Sequence, residues 1–284
     1  MVKFGVAGNS NSFYDEGFTS TVQAAKWCAD RGIDAFEYSF GRGVRMTDAT
    51  AIEIGNAFKA YNVELTVHAP YFINFSNADP DMILKSIGYV TSSIKKVKLM
   101  GGDRVVVHPA SQGKLTREEA MRLALNNFGL LRDALIDLNM QDAKVCIETM
   151  GKLGQMGTLD EVIEFVSLSD SFIPCVDFGH INAREQGILK NPLTYNTILQ
   201  KLLDNLPRTK VENMHIHFSK IQYGAKGEIR HLTFADREYG PDFEPLAEAL
   251  IRYSLNPYII CESDGTQAED AIYMKSAYQA LLDN

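Results

Sequence analysis

The chain has 284 residues, of which 36 are acidic and 28 basic, for a formal net charge of −8, and 45 % of it is aliphatic or aromatic. That composition excludes intrinsic disorder, which goes with low hydrophobicity and high net charge, and no run approaches the ~18 consecutive apolar residues of a membrane span. The acidic balance argues against sequence-blind coating of nucleic acid, though not against an enzyme with one positive binding face.

Short apolar runs rich in β-branched residues alternate with amphipathic stretches, and no linker or change of composition divides them, so a single domain over residues 1–284 is expected. The strands predicted in chain order are Lys3–Gly8, Asp34–Phe40, Glu64–His68, Arg104–His108, Lys144–Glu148, Ile173–Asp177, Val211–His217 and Tyr258–Glu262. Between them, Ala120–Leu138 places Met121, Leu125, Phe128, Leu131 and Leu135 at helical intervals. Leu159–Val166 follows Thr158 as an N-cap, with Asp160 and Glu161 in the first turn. Val105–Val107 and Ile259–Cys261 are continuously apolar, as strands covered on both faces should be. Eight strand–helix units, roughly 35 residues each, predict an α/β protein of the (β/α)8 TIM-barrel type. A doubly wound open sheet would usually carry a glycine-rich phosphate turn after its first strand, and Ala7-Gly8-Asn9-Ser10-Asn11 is not one. Met1-Val-Lys-Phe-Gly leads into no long apolar segment, so no secretory signal is expected. Cys28, Cys146, Cys175 and Cys261 are far apart and form no CxxC pair, which suits a reducing cytoplasm.

The polar residues at the strand ends carry the chemistry. Of six histidines, His68, His108, His215 and His217 fall at or near predicted strand ends, and His180 lies three residues past one. His231 is in the long loop after the seventh strand, and Glu148, Asp177 and Glu262 each end a strand. In a parallel barrel these carboxyl ends converge on one face. A single strand-end histidine is more often a hydrogen-bonded cap than a ligand, but this many imidazoles and carboxylates in one rim cannot satisfy one another without positive charge. Imidazole and carboxylate suit zinc, and also manganese or iron, and the number of donors implies more than one ion. Asp177 and His180 are separated by Phe178-Gly179, where the glycine is expected to let the chain turn off the strand. His215 and His217 must face the same way, leaving one to be a ligand and the other to lie a layer deeper or to contact substrate.

Taken together, His68-Ala-Pro-Tyr71, Val107-His108-Pro109, Ile147-Glu148-Thr149, Asp177-Phe-Gly-His180-Ile-Asn182-Ala183, His215-Ile-His217-Phe-Ser219-Lys220, Arg230-His231 and Cys261-Glu262-Ser263 resemble the endonuclease IV family of zinc-dependent apurinic/apyrimidinic endonucleases. The resemblance covers almost the whole chain. It implies a barrel with three zinc ions, cleaving damaged double-stranded DNA 5′ to abasic sites in base excision repair through a zinc-bridged hydroxide. It also implies a ligand set: His68, His108 and Glu148 for one ion; Glu148, Asp177, His215 and Glu262 for a second; His180 and His231 for a third. Glu148 would bridge the first pair and orient the hydroxide. His215 is preferred to His217 because the family's ligand stands four residues before the serine of the Ser219-Lys220 pair. Tyr71 corresponds to a DNA-inserting tyrosine, and Arg42 and Lys220 are the further substrate-binding candidates. Two or three Zn2+ ions are expected per chain, with Mn2+ as an alternative, in a monomeric cytoplasmic protein without membrane contact.

The chain also departs from that family. The aspartate two residues before the third-site histidine is replaced by Ile229, with Glu228 as its candidate substitute, and His217-Phe218 stands where the family has Asn-Asp. The competing reading is a sugar isomerase or epimerase resembling xylose isomerase, with one or two divalent ions and Glu37 and Glu148 as acid and base. A non-catalytic zinc-binding barrel in a repair complex is the third.

Overall fold

Eight parallel strands pair in a closed ring: β1 (Lys3–Ala7), β2 (Ala35–Ser39), β3 (Glu64–His68), β4 (Arg104–Val107), β5 (Lys144–Glu148), β6 (Phe172–Asp177), β7 (His215–Phe218) and β8 (Tyr258–Cys261). This is the expected TIM barrel, in a computed structural model that describes residues 1–283. Gly5 of β1 pairs with Ala35 on one side and Ile260 on the other, which closes the ring. Alternation along the strands sorts the side chains into two environments. Val105, Val107, Val145, Ile147, Val176 and Ile216 join the large core beneath the helices. Val106, Cys146, Ile173 and Cys175 form a separate cluster inside the ring.

Helix boundaries follow capping chemistry. Leu159–Val166 is a helix as expected, and Thr158 and Glu161 close a reciprocal capping box at its start. The helix expected from Ala120 begins at Arg117, because Thr116 and Glu119 make the same box one turn before the first apolar residue. The strand expected from Val211 starts only at His215. Pro207, with φ −53°, opens a short helix over Arg208–Glu212 instead, a conformation its ring favours at a helix start.

Two small antiparallel pairs were not anticipated, and both lie at the carboxyl ends of the strands. Ala110–Ser111 pairs with Gln155–Met156, and Ile221–Gly224 forms a hairpin with Gly227–His231. His231 therefore ends a strand rather than lying in a loop. The hairpin is tied to the segment after β5, since Glu228 N–H donates to the Gly151 carbonyl at 3.1 Å and Leu153 N–H to that of Lys226 at 3.1 Å. Gly227, at φ +89°, allows this approach: a Cβ there would lie 2.1 Å from the Gly151 oxygen. Among the described residues no helix is long and apolar enough to cross a membrane.

Candidate metal centre

The strand ends bring the expected donors together. Three groups at the rim each have donor atoms within 4.8 Å of one another: His68, His108 and Glu148; Glu148, Asp177, His217 and Glu262; His180, Glu228 and His231. Glu148 is common to the first two. Its Oε2 lies 3.3 Å from His68 Nε2 and 3.1 Å from His108 Nε2, while its Oε1 lies 3.2 Å from His217 Nδ1. Glu262 reaches His217 Nδ1 at 3.4 Å, and Glu228 reaches His180 Nε2 at 3.4 Å.

Backbone and hydroxyl partners aim these groups. His68 Nδ1 lies 2.8 Å from the Ala69 carbonyl and His180 Nδ1 2.9 Å from the Thr149 carbonyl. A carbonyl can only accept, so each Nδ1 donates to it, and Nε2 is the nitrogen turned to the centre. His231 Nδ1 is 2.9 Å from the Ser219 hydroxyl. Asp177 caps the helix Phe178–Arg184: its Oδ1 accepts from His180 N–H at 2.7 Å, while the buried Oδ2 has no hydrogen-bond partner. A buried carboxylate oxygen without a hydrogen bond, among the donors of the rim, fits a cation. Gly179 is consequently not a turn glycine but a site of close approach, because a Cβ there would lie 2.6 Å from the Ser219 carbonyl oxygen.

Burial pushes the Glu148 carboxyl upward, but the adjacent His108 and His217 outweigh it and hold the group well below the ordinary carboxylate range. Burial lowers His68, yet its contact with Glu148 raises it to about 9. Glu262 is raised by burial, with Glu148 and Asp177 adding repulsion against the pull of His217 and His231.

The structure places the two histidines of β7 at different heights, and it is His217 rather than His215, the ligand that the resemblance implies, that stands among the rim donors. His217 pairs in register with Asp177 at the rim, whereas His215 pairs with Cys175 two residues lower. Residues two apart on a strand are separated by about 6.6 Å, so only one can reach the level of Glu148. Strand register decides this, and counting back from Ser219 does not. His215 is fully buried, with Nε2 3.0 Å from Glu37. Lys220, expected as a substrate contact, has partners within the chain. Its ammonium donates to the Asp236 carbonyl at 2.8 Å and pairs with Asp242 at 3.3 Å, so it is held in the loop after the hairpin. Arg42 is exposed in the turn after β2, beside Gly41. Tyr71, 55 % exposed, stands at the mouth of a cavity of about 230 Å³ lined by His68, His108, Glu148, His180, Glu228, His231 and Glu262. A larger cavity of about 650 Å³ lies around Glu64, Asp103 and Tyr258, at the amino ends of the strands and away from these donors.

Residues 25–278 match the xylose isomerase-like TIM barrel family. The chain belongs to that family. An uncharacterized protein of Methanocaldococcus jannaschii is 29 % identical over 99 % of this chain and 98 % of its own length. A Bacillus subtilis protein named “Probable endonuclease 4” is 26 % identical over 67 % of this chain and 64 % of its own. The chain thus spans under two thirds of that relative's length. Among solved structures, a D-tagatose 3-epimerase-like protein superposes with TM-score 0.70 at 17 % identity, covering 99 % of this chain and 98 % of the other. Endonuclease IV from Thermus thermophilus superposes with TM-score 0.69 at 18 % identity, covering 99 % of each. At such identities these structures establish the shared barrel. Xylose isomerase-like barrels are enzymes in general, and the rim described above offers this one several places for metal.

Proposed function

We propose that this chain is a metal-dependent phosphodiester hydrolase that cleaves duplex DNA 5′ to abasic sites, leaving a 3′-hydroxyl and a 5′-deoxyribose phosphate. The observation that carries the reading is the third donor group, His180, Glu228 and His231, beside the pair that shares Glu148. A sugar isomerase has no task for it, whereas a phosphoryl and leaving oxygen do. The relatives named endonuclease 4 support the same reading.

Under this proposal His68, His108 and Glu148 hold one ion, Glu148, Asp177, His217 and Glu262 a second, and His180, Glu228 and His231 a third. We take the metal to be zinc, which imidazole and carboxylate donors suit, with manganese as the alternative. Bound ions there supply a nucleophile from water at neutral pH and neutralise charge on the phosphoryl oxygens. The chain's own groups do the rest. Glu148 keeps the first two donor groups in one frame and orients the attack. Tyr71 and its exposed neighbour Phe72 offer stacking faces for the gap left by a missing base, where extrusion costs least. Arg42 supplies a cation above the mouth. The partner is damaged duplex DNA, bound by a monomer in the cytoplasm, where four free cysteines would stay reduced.

One observation favours a second reading. Glu148, Asp177, His217 and Glu262 alone would hold a single divalent ion, enough for a sugar isomerase or epimerase. A labelled duplex with one abasic analogue tests both. A single nick 5′ to the lesion, absent with Glu148→Gln, supports the nuclease. No nick from metal-replete protein overturns it, and turnover in a ketose panel would then support the second reading.

A further inference from the structure

Barrel interiors are ordinarily filled by layers of branched aliphatic side chains. The layer beneath the rim here contains Glu37, Cys175 and His215, each 1 % exposed or less. Donor atoms of Cys175, His215 and His217 lie within 4.8 Å of one another. Glu37 Oε2 is 3.0 Å from His215 Nε2, and its Oε1 is 3.0 Å from His217 Nε2. Close as they are, these atoms are not aligned as hydrogen bonds: Glu37 Oε1, both nitrogens of His215 and His217 Nε2 are buried without a partner. Among the described residues, the Thr66 hydroxyl alone is placed to donate a hydrogen bond to the Glu37 carboxylate, at 3.0 Å to Oε2. Leaving several buried polar atoms unpaired is costly. Among these donors Cys175, His215 and His217 have the spacing that suits one shared ion.

We propose that the space among them is a second, separate divalent-cation site, held by Cys175, His215 and His217, with the Glu37 carboxylate beside the two imidazoles as counter-charge. Thiolate and imidazole suit a zinc-like ion, and three protein donors leave one position of a tetrahedral set open. The charges balance: one divalent cation, one thiolate and the Glu37 carboxylate sum to zero among neutral imidazoles. His217 uses its single lone pair on this ion and donates from Nδ1 to Glu148, rather than holding a rim ion at the same time. Binding expels the Cys175 thiol proton and the proton on the His217 nitrogen that faces Glu37. A cavity of about 260 Å³, bounded by His231 and Glu262 at the rim and by Glu37 below, offers the route in. The ion would tie β6 to β7, with Glu37 of β2 facing it, and hold His217 with Nδ1 toward Glu148.

The test uses the full chain loaded with cobalt(II) alone. The rim offers only nitrogen and oxygen donors, so a thiolate-to-cobalt charge-transfer band in the near ultraviolet reports a cysteine ligand. The band is expected in the wild type, lost at least tenfold in Cys175→Ser and retained in Cys146→Ser. Elemental analysis should find about one ion per chain fewer in Cys175→Ser. Replacing His108 and Glu228 by glutamine should remove metal from the first and third donor groups and leave the band. A cobalt-loaded wild type without the band, or a band that survives Cys175→Ser, overturns the proposal, and the first of these needs no variant to fold. Failure of the rim to bind metal while the band persists would instead count against the proposed function alone.

Discussion

Glu228 and His231 are three residues apart on one hairpin strand, yet both join His180 in a single donor group. Regular alternation would put them on opposite faces. The register explains the exception: Tyr223 pairs with Glu228 and Gln222 with Arg230, so Ile229 is an extra residue bulged out of the ladder and 56 % exposed. A bulge of this kind re-aims the side chains beside it.

A positional prediction comes from that geometry. Glu228→Gln should lower bound metal by about one ion per chain, and adding Ile229→Asp to it should not restore the ion, because residue 229 points to solvent. Deleting Ile229 from the wild type should keep the ion, since Glu and His would then be two apart. Elemental analysis of the purified variants decides it, and rescue by Ile229→Asp would refute the bulge account.

The barrel and most of its rim were legible because they rest on repeated local signals. Apolar β-branched runs such as Val105–Val107 mark strands, and acids or histidines at their ends mark one face. What the sequence does not carry is height within the barrel. His215 and His217 have the same parity, and only pairing with Cys175 and Asp177 ranks them. Glu37 was legible as an acid on a strand but not as the neighbour of both histidines, which depends on closure of the ring. The Gly227–His231 strand was missed because its pairing is fixed by the distant Gly151 segment rather than by any strong local propensity. Lys220 reads as a free cation until the Asp236 and Asp242 loop is folded over it.

Glu148 is the residue whose loss should matter most, since two donor groups share it. Glu148→Gln keeps the shape but removes the charge that faces His68, His108 and His217. Cleavage of an abasic duplex should fall by on the order of 10³-fold, about 4 kcal/mol of transition-state stabilisation. Single-turnover rates at saturating metal measure it. A loss under tenfold would remove Glu148 from the centre of the scheme.

The groups behind the donors should tune metal affinity without abolishing the fold. Ser219→Ala removes the hydroxyl 2.9 Å from His231 Nδ1 and frees that ring to rotate. Affinity at the third donor group should drop roughly 10–100-fold, read by competition with a chelator. The melting temperature of the metal-free protein should change little, because no apolar contact is removed.

Stability should decline in base because several thiols are buried. Burial raises the thiols of Cys28, Cys146 and Cys261 from 9.0 to about 12. The folded state then binds more protons than the unfolded chain above pH 9, so the stabilisation is complete below 9 and is lost as pH rises toward 12. Each thiol contributes a slope of about 1.4 kcal/mol per pH unit in that window. Urea unfolding at pH 8 and pH 10 should show the fall, and Cys28→Ala should make it shallower while leaving the acid side unchanged.

The exposed pair Tyr71 and Phe72, packed edge to face with ring centroids 5.7 Å apart, separates substrate recognition from metal chemistry. Neither ring lies among the rim donors, so Tyr71→Ala should leave the metal content as it is. Losing a stacking face should weaken binding to an abasic duplex by about 1–3 kcal/mol, that is, by roughly 5- to 150-fold in Kd. Binding to an intact duplex, which offers no gap to fill, should change far less. Fluorescence anisotropy with the two duplexes and Glu148→Gln as the inactive background compares them directly. Equal losses on both would make Tyr71 a general surface contact, and no loss on either would remove the aromatic pair from recognition.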